Sequence, residues 1–212
     1  MATLTQLYAR IVLDTNRDDM GSGGELEQAK IDAVADAIEM HADENFWFNR
    51  ASGTVSTVAG TATLALPAGM RIAQLVTWLG APLRKIPLEK IQAAENVSVP
   101  VSGPPCRWAE DDGAIHLWPA PDAVYALAAF GIADLGVPAT SNAWTGEGYM
   151  LILAEAKRIL CRSVLRDGDG LALAGDEARE ALTGLRRETR RRAAAAPATD
   201  LPVPGRFDIL AG

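Results

Sequence analysis

Apolar residues recur at helical spacing toward both ends of the chain and at strand spacing through its middle. Leu4, Leu7, Tyr8 and Ile11 form one stripe, with Thr3 or Thr5 available as a cap, and predict a first helix of about ten residues. Asp18 to Gly24 reads as a loop, because glycines cluster after Met20. A longer helix is expected to begin near Glu25 and to end around Trp47–Arg50. Leu26, Ile31, Val34, Ile38, Ala42 and Phe46 lie on its apolar side, with acids on the opposite face.

The period then changes to two. Thr54–Val58, a turn at Ala59-Gly60, and Thr61–Leu66 read as a hairpin, and Arg71–Leu79 as a further strand. Gly80-Ala81-Pro82 is a turn, and Pro87 suits the opening of a short helix that runs through Glu95. Residues 96–105 carry prolines and small polar residues that favour an extended loop. Cys106–Glu110, the turn Asp111-Asp112-Gly113 and Ala114–Trp118 form a second hairpin, followed by a strand over Val124–Ile132. The two runs of Gly113–Ile132 read as a strand pair joined by Pro119-x-Pro121-Asp122. Proline removes a backbone donor, so the ladder is expected to stop there.

Helical spacing returns after Gly136–Ser141. Asn142 or Thr145 caps a helix to about Leu165, with a wide stripe of Leu151, Ile152, Ala156, Ile159, Leu160 and Val164. Asp167-Gly-Asp-Gly170 interrupts, and Leu171 to Ala193 is helical again. Its acids come early and Arg190–Arg192 late, as the helix dipole favours. The expected fold class is α+β: a helical subunit with an inserted antiparallel β module and an extended C-terminal arm. Residues 1–196 form one domain, with the β module over approximately 52–135. Residues 197–212 form the arm.

Composition adds an uneven charge to this picture. The 212-residue chain carries a net −7. Residues 1–50 hold 4 basic and 10 acidic side chains, whereas residues 144–212 hold 11 and 10, so basic character gathers late. An acidic whole argues against a sequence-reading DNA binder, which neutralises phosphates with a net basic face. The first residues show no basic stretch followed by an apolar core, and no apolar run reaches the ~18 residues that span a bilayer. The reading is therefore a cytosolic product without a membrane segment. Cys106 and Cys161 are far apart and lack zinc-site spacing, so two free thiols are expected.

Candidate chemistry fails position by position. Asp167-Gly-Asp-Gly170 begins like a calcium loop, but its twelfth position is Ala178 where a bidentate glutamate is needed. His41 and His116 are distant from each other, and no nucleophile elbow accompanies them. No glycine fingerprint for phosphate occurs. The acidic face from Glu25 to Asp43 reads as a solvated helix face. No catalytic residue, cofactor or metal ligand is assigned. Two features point instead to partners. Arg186, Arg187, Arg190, Arg191 and Arg192 form a basic cluster, read either as a solvated dipole-favoured turn or as a contact for an acidic partner or phosphates. No aromatic residue is interleaved with them, which disfavours base stacking. Phe207, Ile209 and Leu210 on the arm would be stranded in water unless a neighbouring chain covered them, the alternative being a disordered tail.

The assembled pattern resembles the small head–tail connector proteins of tailed bacteriophages. The residues that carry the resemblance are Asn45-Phe-Trp-Phe-Asn-Arg50 after two helices, Leu64-Ala-Leu-Pro67, Ile72-Ala-Gln-Leu-Val76, Ile115-His-Leu-Trp-Pro-Ala-Pro-Asp122 with Tyr125, and Asn142-Ala-Trp144. It covers about residues 1–165. The resemblance implies a structural virion protein without enzymatic activity, made in the host cytoplasm and placed in the neck between capsid and tail. It implies a ring, usually of twelve copies, beneath the portal protein. Genomic double-stranded DNA would pass through its lumen without sequence-specific binding. The C-terminal helix and arm (the five arginines with Phe207, Ile209 and Leu210) would face portal or a neighbouring subunit. Trp118, Pro119, Pro121 and Asp122 would face a downstream tail or stopper protein. A stopper or tail terminator is the nearest alternative, and a cytosolic small-ligand or hydrolase domain a more distant one.

Overall fold

The computed structural model describes residues 2–21, 23–96 and 101–195. Helix α1 (Leu4–Thr15) starts at Thr3, whose hydroxyl accepts from the Gln6 amide while the Gln6 side chain accepts from the Thr3 amide. After a 3-10 turn over Asp18–Gly21, α2 runs over Glu25–His41. It stops well short of the expected Trp47–Arg50. Asn49 is the reason: its amide nitrogen donates to the Glu44 carbonyl at 2.6 Å and its oxygen accepts from the Phe46 amide at 2.9 Å. A buried side chain thereby takes the backbone partners that another helical turn would have used.

Among the described residues the β region holds eight strands: β1 (Arg50–Ser56), β2 (Thr63–Ala65), β3 (Met70–Trp78), β4 (Ala81–Pro82), β5 (Arg84–Lys85), β6 (Arg107–Asp111), β7 (Ala114–Trp118) and β8 (Ala126–Ala133). The short helix α3 (Leu88–Glu95) interrupts them after Pro87, as expected. The strands form two four-stranded sheets, in the orders β1-β8-β3-β4 and β2-β7-β6-β5. Ala73, Val76, Leu127 and Ala129 of the first sheet pack against Leu64, Trp108, Ile115 and Leu117 of the second. Pairing between these strands is antiparallel except for the short parallel contact of β5 with β6, and the isolated Ser102–Ala120 bridge is also parallel.

Two expected pairings are corrected. The β6–β7 hairpin forms around Asp112 and Gly113, both at positive φ. The hairpin expected over Thr54–Leu66 does not: β1 pairs with β8 and β2 with β7, leaving only a Val58–Thr61 bridge. Likewise β7 and β8 are not a pair but lie in different sheets. Both connections cross between the sheets and hold each other. Thr57 Oγ1 donates to the Ala123 carbonyl at 2.8 Å, and Gly60 N donates to the Pro121 carbonyl at 2.7 Å. Alternation reports that a segment is a strand, whereas its partner is set by contacts remote in sequence.

Asn142 caps the four-residue α4 (Ala143–Gly146), and α5 (Tyr149–Leu160) continues through one π-helical turn to Leu165. The last helix, α6 (Gly168–Ala195), follows a turn in which the Asp167 carboxylate accepts from the Gly170 amide at 3.1 Å. Leu7, Ile11, Val34, Ile38, Phe46, Trp144, Ile152 and Leu160 build a second core among the helices. Lys30 is buried there, its ammonium donating to the Met20 carbonyl at 2.8 Å and lying 5.3 Å from the Tyr8 ring centroid.

Candidate functional site

The aromatic run after α2 organises the surface where the helical and β regions meet. Phe46 is buried and stacks on Phe48 at 5.3 Å between centroids, and both rings meet Trp144 edge-on. Two segments almost a hundred positions apart in sequence, Asn45–Arg50 and Asn142–Trp144, thus form one aromatic knot. Just beyond it, the Arg71 guanidinium on β3 bonds Glu39 at 2.5 Å and Asp43 at 2.6 Å on and beside α2. Hydrogen bonds to Glu39 and then to Asp43 raise the Arg71 pKa above its usual value, so the cation is permanent. The Asn45 side chain reaches Gln74 at 2.9 Å. These contacts hold the first sheet against the helices.

The five expected arginines divide between two faces of α6. Arg186 bonds Glu44, and the Arg192 guanidinium lies 4.5 Å above the Trp47 ring. Arg191 and Arg192 both bond Glu188, at 2.7 and 2.8 Å, and those hydrogen bonds push the Glu188 carboxyl down to about 2. Arg187 and Arg190 make no ion pair among the described residues. Helical geometry places Arg187 and Arg191 one turn apart on the side away from Trp47. The cluster is therefore partly structural: Arg186 and Arg192 pin α6 to the aromatic loop, and Arg187 and Arg190 are left for solvent or a partner. Phe207, Ile209 and Leu210 lie outside the described residues.

At the far end of the β module, Trp118 is half-buried beneath the Arg107 guanidinium, 4.9 Å from its ring. The Trp118–Pro119 bond is cis, and Pro119 and Pro121 are both buried. Asp122 is exposed and accepts from the Tyr125 hydroxyl at 2.5 Å, a bond that raises the Tyr125 pKa. The prolines shape this corner from within, and Trp118 and Asp122 present its surface.

Other candidate groups occupy ordinary structural positions. Cys106 is exposed and Cys161 buried, and both thiols are free. His116 Nδ1 lies 3.3 Å from the Thr63 hydroxyl. His41 is buried 3.5 Å from Glu155, and burial lowers its pKa against the opposing pull of that carboxylate. Among the described residues no three His, Cys, Asp or Glu side chains converge to hold a metal, and no helix is long and apolar enough to cross a membrane.

Sequence reasoning missed two features. Trp47 is the platform for Arg192, which becomes visible only once α6 packs back over the loop. Phe130 is 44% exposed although the other large residues of its strand, Leu127 and Ile132, are buried. Its signal was available: Leu127 and Ala129 set the inward parity, so Phe130 points outward.

The knot, the arginine-pinned helix and the proline-shaped corner are contact surfaces without converging chemistry. No curated protein matches the chain significantly. A family model described as the SU10 adaptor protein matches residues 2–200, nearly the whole chain. The chain belongs to the SU10 adaptor protein family and is a phage structural adaptor protein.

Proposed function

We propose that this chain is the head-to-tail adaptor of a tailed phage, assembling as a ring of twelve copies beneath the portal protein. The ring extends the channel for double-stranded DNA, and its far rim receives a downstream tail or stopper protein. The observation that carries this reading is the family match over residues 2–200. The structure is compatible with it in three ways. Arg187 and Arg190 remain open on the outer face of α6 for an acidic partner. Trp118 and Asp122 present the surface of the proline-shaped corner, suited to the tail partner. A net charge of −7 suits a conduit, since a lumen that held phosphates tightly would retard transit.

The role is structural rather than enzymatic, and the virion neck is its location. Phe207, Ile209 and Leu210 engage portal or a neighbouring subunit, adding buried apolar area at roughly 25 cal/mol per Å². Electron-microscopic imaging of the full chain mixed with its portal tests this. The expected result is a ring of density beneath portal, with Phe207→Ala/Leu210→Ala weakening occupancy while the subunit stays folded. Unchanged occupancy of the double variant overturns the role of the arm. Absence of any complex with portal overturns the adaptor position.

A further inference from the structure

The outward face of the first sheet carries an uncovered groove. Ser52, Phe130 and Leu75 are register partners across β1, β8 and β3, so they share one face. Phe130 is 44% exposed and Leu75 40%. Ser52 is too small to screen them, and a groove of about 500 Å³ opens there, bounded by Asn45 and Arg50. Arg50 makes no ion pair among the described residues.

The groove adjoins a free sheet edge, because β1 ends its sheet. The Asn49 carbonyl accepts from Ala133 N at 2.7 Å, and Thr57 N donates to the Tyr125 carbonyl at 2.9 Å. In an antiparallel ladder the odd-numbered residues between them therefore bond β8, and Ser52, Thr54 and Ser56 aim their N–H and C=O groups outward. Seven residues of edge without a proline form a template for an added strand.

The chain's own continuation starts beside this template. Arg192 and Arg186 hold the end of α6 on Trp47 and Glu44, while the intervening Asn45 both borders the groove and bonds Gln74. Residues 196–212 follow. From Ala195 to Phe207 an extended chain reaches up to ~40 Å. Trp47 to Ser52 spans at most ~17 Å even if fully extended, so reach is ample. Pro202 and Pro204 would block pairing, but Gly205 to Leu210 holds none. In an extended segment Phe207 and Ile209 share one side, the side laid on the groove, while Arg206 and Asp208 take the other. Tethering raises the effective concentration to the millimolar range, which favours the chain's own segment over a second copy.

We infer that in the free subunit residues 205–210 dock along the β1 edge, with Phe207 and Ile209 laid over Ser52 against Phe130 and Leu75. This does not rest on the ring reading, since it concerns the isolated chain. Hydrogen exchange on the full-length chain without portal tests it. Amides of 205–210 and of β1 are expected to exchange about tenfold more slowly than in Phe207→Ser/Ile209→Ser, independent of protein concentration. Leu75→Ser/Phe130→Ser is expected to release the same tail amides while α5 stays protected. If that variant fails to fold, the tail variant carries the comparison alone. Tail amides exchanging at the unstructured rate in the unmodified chain overturn the proposal. Protection that falls on dilution overturns it in favour of a second copy.

Discussion

Gly131 is the position where a single methyl group has the most decisive expected effect. It lies on β8 opposite Ala73, between the two irregularities that bend β3 over it. A Cβ added there would sit 1.9 Å from the Ile72 carbonyl oxygen, 2.9 Å from its carbon and 3.0 Å from the Ala73 Cα. All three are backbone atoms, so no side-chain rotation relieves the overlap. The strand must back away by about 1 Å, which takes a hydrogen bond near 2.9 Å past the limit of useful geometry. Two or three ladder bonds are lost, at ~1 kcal/mol each, and the inward packing of Val76 and Ala129 loosens with them. Gly131→Ala is therefore expected to destabilise the fold by ~2–4 kcal/mol. Gly184→Ala is the matched control. It lies within α6 with nothing within 4 Å of the new methyl, and is expected to stabilise by ~0.5–1 kcal/mol through helix propensity. Urea unfolding followed by circular dichroism reads both as shifts in midpoint at constant m value. A Gly131→Ala variant within ~0.5 kcal/mol of the unmodified chain refutes the close-approach argument.

Acidification and thiol chemistry test the helical core. His41 is held neutral by burial, so its folded pKa lies below its ordinary 6.5. The unfolded chain then binds the extra proton first, and stability is full above 6.5 and falls as pH drops below it. Between about pH 6.5 and 5, before carboxylates dominate, His41→Gln is expected to flatten this slope, and an unchanged slope assigns it to another group. Under native conditions one thiol, the exposed Cys106, is expected to react promptly with an aromatic disulfide reagent. Burial both shields Cys161 and raises its pKa, so it reacts only on unfolding. Two prompt equivalents would contradict the packing of α5 against α6.

What local physics dictates was legible from the residues alone. A cap at Thr3 or Thr5, a cap at Asn142 or Thr145, the Asp112-Gly113 hairpin and the α+β order all depend on neighbours a few positions away, and the structure takes Thr3 and Asn142. The arginine cluster and the proline corner were visible as unusual composition. Tertiary structure decided the rest, because partners distant in sequence compete for the same groups. Asn49 ended α2 early by capturing the Glu44 carbonyl, and β1 chose β8 over its sequence neighbour β2. Packing of α6 over Trp47 divided the arginines into structural and open ones. Alternation and helical spacing determine what each segment becomes. Which face stays exposed, and so what the protein can touch, is determined only when the two sheets and the helices have buried the others.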